Sequence, residues 1–443
     1  MPLFQAPPRT PEELEAAAPV SLAPAEVQEL DEAAWRDRVF RGEAAPQLTL
    51  RAVVLGSVLG FFFALTNLYC ALRTGLFLGV AITASVMAFA LWTTLRALGL
   101  SRSPLTVLEN ACMQSTASSA GFSTGGPFIG ALPALLLLSV TPDAPAGRPL
   151  PWAVALAWTV CLAVLGVAFA LPMKRSLIAQ ERLVFPSGTA AAVALHGLYR
   201  RGSDGAARAR ALFVAAATAA LVPPLRDLPL RRGEGLLPAS LSLFDGVGPV
   251  GPSGARALPS AWTVSLEPSP LLLGAGAIIG VRVTASMVLG AAVATAGIGP
   301  AALTTAWQRP DGVVSTIARA PATVWKDIGV WTGAPLLVTA GLLAFVLSLS
   351  SAARAFRGLS FGGPLDAPVS WFVAAVGVGG TGVVALAAAC FDVPVHLGVL
   401  AVALTFALSL VAARVAGETD VTPQGPLGKI TQLTYGVLLP QST

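Results

Sequence analysis

Charge is scarce in this 443-residue chain. Asp, Glu, Lys and Arg make up only 12% of it, where a soluble globular domain carries roughly a quarter. Set beside 55% hydrophobic residues and a mean hydropathy of +0.73, that scarcity excludes a soluble domain and implies an integral membrane protein. The net charge of +5 comes from cations scattered between apolar segments, with no run of five or more, so no nucleic-acid partner is expected. Histidine is nearly missing, with only His196 and His396. The cysteines Cys70, Cys112, Cys161 and Cys390 have neither CxxC nor CxxxC spacing and lie among apolar or small residues. That excludes a zinc centre and leaves the cysteines as small buried side chains. No metal site, cofactor or catalytic residue is expected. A basic leader is also missing. The tail is acidic and the first apolar run begins near residue 50, so no cleaved signal peptide is expected and that run is retained as a span.

Glycine and proline are abundant, at 44 and 35 residues. In a membrane chain they signal closely packed and interrupted helices. Residues 1–49 form a polar N-terminal tail, expected on the cytoplasmic side. Within it Thr10-Pro11-Glu12-Glu13 is a helix-start signal, a hydroxyl cap with Pro in the first turn and Glu three residues on. A second helix is expected after Pro24, with Val27, Leu30 and Ala34 on one face.

Residues 50–443 read as a transmembrane domain of about 9–11 membrane segments, each clean span near the roughly 20 residues needed to cross. The apolar runs are Leu50–Ala71, Leu76–Leu98, Pro151–Leu171, Ala211–Leu225, Leu271–Ala296, Trp331–Leu349, Trp371–Ala389 and Val395–Ala416. Residues 101–126 are rich in Ser, Thr, Ala and Gly and run into the apolar stretch 127–140, a broken or re-entrant element. Residues 185–199 are too short for a clean span, and a re-entrant segment there keeps the flanking cations on one side. Loops are expected at 226–268 and 300–330. With the N-terminus inside, the basic loops 96–104, 173–185 and 300–330 fall inside, whereas 351–358, with Arg354 and Arg357, opposes that topology. The fold class is all-α, a polytopic membrane helix bundle.

Polar residues at membrane depth mark pathways, because only protein or a water-filled cavity can surround them there. Asn67, Tyr69 and Arg73 sit at the first span junction, as cavity residues or as interfacial anchors. Glu109, Asn110 and Gln114 precede a run of small residues, and Asn110 and Gln114 share a helix face. Arg175 and Glu181 follow the span 151–171, with Glu181 either in a pathway or in a loop ion pair with Arg182 or Arg175. Arg282 lies inside 271–296, facing a cavity or carboxylate, or snorkelling. The stretch GETDVTPQGPLGKITQ (417–432) supplies Glu418, Asp420, Lys429 and Gln432, as a pathway element or as a capped helix end.

An internal repeat supports the pathway reading. A shift of 319 residues puts Leu78-Gly79-Val80 on Leu397-Gly398-Val399, and Pro104 and Leu108 on Pro423 and Leu427. A one-residue slip then brings Gln114-Ser115-Thr116 onto Gln432-Leu433-Thr434. Interrupted helices at matching places in two repeats point to a secondary-transporter site.

Five motifs together resemble the oligopeptide transporter family, which includes the yellow-stripe metal-chelate transporters. They are NLYCALRTGLFLG (67–79), ENACMQSTASSAG (109–121), LPMKRSLIAQERLVFPSGTAAA (171–192), GAIIGVRVTASMVLG (276–290) and GETDVTPQGPLGKITQ (417–432). The resemblance implies a polytopic carrier in the plasma or inner membrane, moving short peptides or metal chelates on the proton gradient. In that reading Glu109 or Glu181 carries the proton, Arg282 or Arg175 takes a substrate carboxylate, and Gln114, Gln432 and Asn67 give neutral hydrogen bonds. Family members usually continue with further helices beyond the last motif. The resemblance therefore also leaves open a partial or non-transporting subunit, with an oligomer or a second chain supplying the missing helices. A membrane serine hydrolase built on Ser187 and His196 is a remote alternative, since Phe185-Pro186 replace the usual Gly-x-Ser context.

Overall fold

Helix α1 (Pro11–Ala16) forms where its cap demands. The backbone N–H of Glu13 donates to Thr10 Oγ1 at 3.2 Å, and the N–H of Thr10 donates to Glu13 Oε2 at 3.2 Å. Helix α2 (Pro24–Glu29) begins at Pro24 as expected, and α3 (Glu32–Arg38) is capped by Asp31, which accepts from the Ala34 N–H at 2.7 Å. The computed structural model describes residues 4–42, 45–74, 79–123, 125–199, 204–228, 236–238, 240–242, 259–308, 312, 314–347, 368–419 and 424–438. The loop at 351–358 and its two arginines lie outside these residues.

The helices that follow are α4 (Leu50–Thr74), α5 (Ala81–Ala97), α6 (Val107–Ser123), α7 (Leu132–Leu138), α8 (Trp152–Lys174), α9 (Pro186–Tyr199) and α10 (Asp204–Asp227). After them come α11 (Pro270–Ile279), α12 (Val281–Ala292), α13 (Gly299–Thr304), α14 (Val330–Leu347), α15 (Val369–Phe391), α16 (Val395–Thr419) and α17 (Gln424–Leu438). Among the described residues, 6 helical stretches are long and apolar enough to cross a membrane: Leu50–Arg73, Val107–Leu138, Trp152–Ile178, Val281–Thr304, Val369–Phe391 and Val395–Glu418. Their outward faces carry Phe61, Phe62, Leu156, Val167, Val378 and Val399 exposed, the surface a hydrocarbon solvent requires. The all-α bundle is thus as expected.

The chain divides into two compact units, Met1–Ala211 with Leu342–Thr443, and Leu212–Gly341. In the first, α4, α5 and α6 enclose Leu55, Leu59, Phe63, Val80, Ala84, Ala88, Met113 and Ala117. The close approach of α4 to α6 needs Gly56 and Gly60. A Cβ at Gly56 would stand 2.7 Å from the Met113 carbonyl, and one at Gly60 2.8 Å from Ala120 Cβ. A second centre joins α8, α15 and α16 around Leu165, Phe169, Met173, Val383 and Leu410, with Phe169 edge-on to Phe406 at 5.0 Å. Gly379 serves there as Gly56 does, since a Cβ on it would stand 3.0 Å from Leu165 Cγ and 3.1 Å from the Cys161 carbonyl.

The offset of 319 residues read from the sequence carries Leu50 onto Val369, the first residues of α4 and α15. It also carries α5 and α6 onto α16 and α17, with ends displaced by a few residues. The order of three helices therefore recurs.

Helix α9 keeps both ends on one face. Its leading Phe185 N–H donates to the Gly417 carbonyl at 3.1 Å, at the end of α16, and Tyr199 Oη donates to the Thr106 carbonyl at 3.2 Å, at the start of α6. Between these two ties α9 is a single helix of about 21 Å.

The second unit corrects two expectations. The run 271–296 is not one helix: Gly280, at φ 86° and ψ 163°, separates α11 from α12, a conformation essentially confined to glycine. Arg282 consequently lies in the exposed first turn of α12 rather than at mid-span. The stretch 300–330 is not an open loop either. It holds α13 and a hairpin of β1 (Ala306–Gln308) with β2 (Val314–Thr316), and Ala302, Ala318, Val324 and Ile328 bury Trp262.

Two outcomes follow from this packing. Gly56→Leu or Gly60→Leu should destabilise the protein by about 1–3 kcal/mol through overpacking, read as a lowered thermal midpoint in detergent, while Gly79→Ala, whose Cβ meets nothing within 4 Å, should leave it unchanged. The N–H groups of Arg9 and then Thr10 hold the Glu13 carboxyl below its ordinary value. That stabilisation is complete above the usual carboxylate range and is lost as pH falls through the depressed value. Amide-exchange protection in α1, taken relative to the intrinsic rate at each pH, should therefore fall on acidification in the wild type and lose that transition in Glu13→Gln.

Candidate functional site

The sequence Thr106-x-x-Glu109 is a capping box opening α6. The Glu109 N–H donates to Thr106 Oγ1 at 3.1 Å, and the Thr106 N–H donates to Glu109 Oε2 at 3.0 Å. Glu109 has no exposed surface, so its charge needs a partner, and Arg51 in the first turn of α4 supplies it. Arg51 Nε donates to Glu109 Oε1 at 2.6 Å and Nη2 donates to Oε2. Thr49 Oγ1 donates to Oε1 at 2.6 Å. The rest of the guanidinium reaches Ser103 Oγ at 2.6 Å and the Pro104 carbonyl at 2.9 Å, and it lies 5.2 Å from the Trp92 ring. Both carboxylate oxygens are thus occupied. Asn110 continues the network, its Nδ2 donating to the Ser85 carbonyl and Tyr199 Oη, each at 3.2 Å. Its Oδ1 is buried without a hydrogen-bond partner among the described residues.

A second network stands at the end of α16. Arg414, 3% exposed, donates from Nη1 to Glu181 Oε1 at 2.7 Å, pairs through Nη2 with Glu181 Oε2, and donates from Nε to Glu418 Oε1 at 3.0 Å. A π-helical turn, Arg175–Gln180, extends α8 and delivers Glu181 to this guanidinium. Gly417 lets the two segments touch, since a Cβ there would be 2.9 Å from Leu183 Cδ1 and Phe185 Cζ. Tyr435 Oη fastens α17 to α16 by donating to the Leu397 carbonyl at 2.7 Å.

The structure therefore joins Glu109 with Asn110, and Glu181 with Glu418. It replaces the expected partner of Glu181: Arg414 takes the carboxylate, while Arg182, at φ 53°, turns away and donates to the Glu29 carbonyl at 3.3 Å. Asn67 is buried and donates to the Gly121 carbonyl at 3.4 Å. Gln114 and Arg175 are half-buried, and Tyr69, Arg73, Arg282 and Gln432 are exposed. Asp420 and the side chain of Lys429 lie outside the described residues. Arg51 and Arg414 are the two residues that sequence reasoning missed. The local signals existed, a capping box for Glu109 and an i,i+4 spacing from Arg414 to Glu418, but the partners Arg51 and Glu181 are 58 and 233 residues distant. Ser187 and His196 sit on the single helix α9, about 13 Å apart along its axis, and His196 Nε2 donates to the Val20 carbonyl at 3.1 Å. They form no catalytic pair.

A family model described as OPT oligopeptide transporter protein matches residues 47–360 and 365–443. A putative oligopeptide transporter of Saccharomyces cerevisiae is 28% identical over 174 residues, 37% of this chain and 23% of that protein. An iron-phytosiderophore transporter of Oryza sativa subsp. japonica is 32% identical over 171 residues, 36% of this chain and 25% of its own length. The iron-phytosiderophore transporter yellow stripe 1 of Zea mays is 30% identical over 202 residues, 41% of this chain and 29% of its own. The matched stretch thus spans between 23% and 29% of these relatives. No solved structure matches the chain.

Removing one partner of the first ion pair leaves a buried charge uncompensated. Arg51→Met should cost about 3–5 kcal/mol, and Arg51→Met with Glu109→Leu should recover much of that loss. Thermal unfolding of the two variants in detergent checks the difference. Equal loss in both would show that the pair is not what holds α4 to α6.

Proposed function

The chain belongs to the OPT oligopeptide transporter family, and from that membership we propose that it is a proton-coupled secondary carrier of short peptides or metal chelates. The observation that carries the mechanism is the buried Arg414 guanidinium held between Glu181 and Glu418. Transport proceeds by alternating access between the repeated helix triplets, with interrupted helices supplying backbone donors and acceptors.

Glu181 is the proton carrier in this reading. Its side chain is 26% exposed, so water reaches it, and a single guanidinium holds its two oxygens. Glu109 is fully buried and its oxygens are saturated, which suits a structural role. Protonating Glu181 removes the charge that occupies the Arg414 fork, and a guanidinium fork matches a carboxylate bidentately. A substrate carboxylate then competes for those N–H groups, so proton binding and substrate binding favour one another. Arg175, on the turn that delivers Glu181, gives a further cation for the substrate. Asn67, Asn110, Gln114 and Gln432 give neutral hydrogen bonds along the same pathway, and Glu418 keeps Arg414 oriented when Glu181 lets go.

Uptake into proteoliposomes tests the reading, with a labelled tetrapeptide compared with an iron–phytosiderophore chelate under an acid-outside pH step. The wild type should accumulate one of them above equilibrium. Glu181→Gln should lose pH-driven accumulation by about tenfold or more, the scale of an ordinary coupling free energy, while keeping exchange of substrate across the membrane. Accumulation in Glu181→Gln with an unchanged pH response would remove Glu181 from the carrier role, and no uptake of either compound by the folded protein would overturn the substrate assignment.

A further inference from the structure

A cavity of about 880 Å³ lies between the N-terminal tail and the start of α6, the basic end of α8 and helix α9. The tail forms one wall through α2 and α3. Leu108 and Ala111 at the start of α6, Ile178 beyond α8, and Ala192 and Leu195 of α9 form the other. The tail is tied down across it. Gln28 Nε2 donates to the Val184 carbonyl at 3.1 Å and to Thr189 Oγ1, and the Val20 carbonyl accepts from His196.

The depth of the cavity is set by the spans around it. Arg51 joins the first turn of α4 to the start of α6, Tyr199 joins the end of α9 to Thr106, and the α8 span ends at Ile178 beside them. Two spans start and one ends at this level, so the cavity sits where the hydrocarbon meets the lipid headgroups. The cations of 96–104 and 173–185 lie on the same face, which the positive-inside rule makes the cytoplasmic one.

Its chemistry is two-sided. Most of the lining is aliphatic or aromatic, yet Arg41, Lys174, Arg175 and Arg182 also face it, against the single carboxylate of Asp31. Asp31 already caps α3 through the Ala34 N–H. Arg182 and Arg41 each direct one N–H to a tail carbonyl, at 3.3 and 3.4 Å, and Lys174 is exposed with no ion pair among the described residues. A small polar solute would leave its polar groups unmatched against so apolar a wall. A molecule with apolar chains and an anionic head meets both halves, and basic pockets at the cytoplasmic ends of spans suit lipid headgroups. We propose that this cavity binds an anionic phospholipid of the adjoining leaflet, with its phosphate among Lys174, Arg182 and Arg41, the upper acyl chains along Leu108, Ile178 and Leu195, and the tail helices as its cover. The phosphate is placed on Lys174, Arg182 and Arg41, none of which the transport reading uses; of the cations that face the cavity, that reading uses only Arg175.

Native mass spectrometry of the purified full chain tests it, after equilibration with phosphatidylglycerol, phosphatidylcholine or oleate. The wild type should retain one phosphatidylglycerol in preference to phosphatidylcholine. Lys174→Glu with Arg182→Glu should weaken that retention by about tenfold or more, since each cation near an anionic head strengthens attraction about fivefold. Ala192→Trp, which fills the cavity without changing charge, should weaken it too, and decides the matter if the charge variant fails to fold. Equal retention of phosphatidylcholine would reduce the site to apolar contact and overturn the proposal. Displacement by equimolar oleate would make a free fatty acid the ligand and overturn the lipid source. Unchanged phosphatidylglycerol retention in a folded variant would put the lipid elsewhere.

Discussion

A carboxylate with no exposed surface must have its charge compensated inside the protein, and the ion pair of Glu109 with Arg51 is where the first two crossing stretches, those begun by α4 and α6, become one body. Glu109 belongs to the capping box of α6 and Arg51 to the first turn of α4, so the pair fixes two helix starts side by side at one face. Everything else at that face is built outward from it. Thr106, which caps α6, also accepts from Tyr199 and so anchors the end of α9. The α9 helix in turn receives the N-terminal tail through His196 and Thr189. Below the pair, Gly56 and Gly60 let α4 and α6 approach to backbone contact, as helices do in lipid, where apolar side chains alone provide no drive to associate.

The second ion pair has the same physical origin and a different setting. Arg414 is almost fully buried, and its partners come from two segments that touch only because Gly417 has no side chain. The recurring helix triplets do not repeat these charges. The offset that brings α4 onto α15 puts Glu109 opposite Gly428 and Arg414 opposite Leu95. Each copy thus keeps the helical frame while its polar groups differ.

Hydrocarbon as solvent made much of the fold legible. A chain this poor in charge can satisfy its backbone in a bilayer only through helices or closed barrels, and runs such as Val395–Ala416 and Pro151–Leu171 have the length of a crossing helix. Thr10, Pro11 and Glu13 announced α1 because capping is a local matter of neighbouring backbone donors. Arg282 misled because hydropathy averages over a window, whereas the break at Gly280 depends on one backbone torsion that no average records. The candidate site was legible by half: the polar residues in the apolar chain were found, their partners were not.

The sequence by itself determined the solvent, the helices, the repeat and the kinship, because each is written in composition, period or short motif. It also singled out Glu109, Asn110, Glu181 and Glu418. Only the tertiary structure decided which guanidinium each carboxylate meets, that Glu109 is saturated while Glu181 is partly exposed, and that the tail folds back over a basic cavity. Those outcomes turn on contacts between segments tens to hundreds of residues apart, set by how α8, α9 and α16 converge, and the pairing of charges in space leaves no periodicity along the chain.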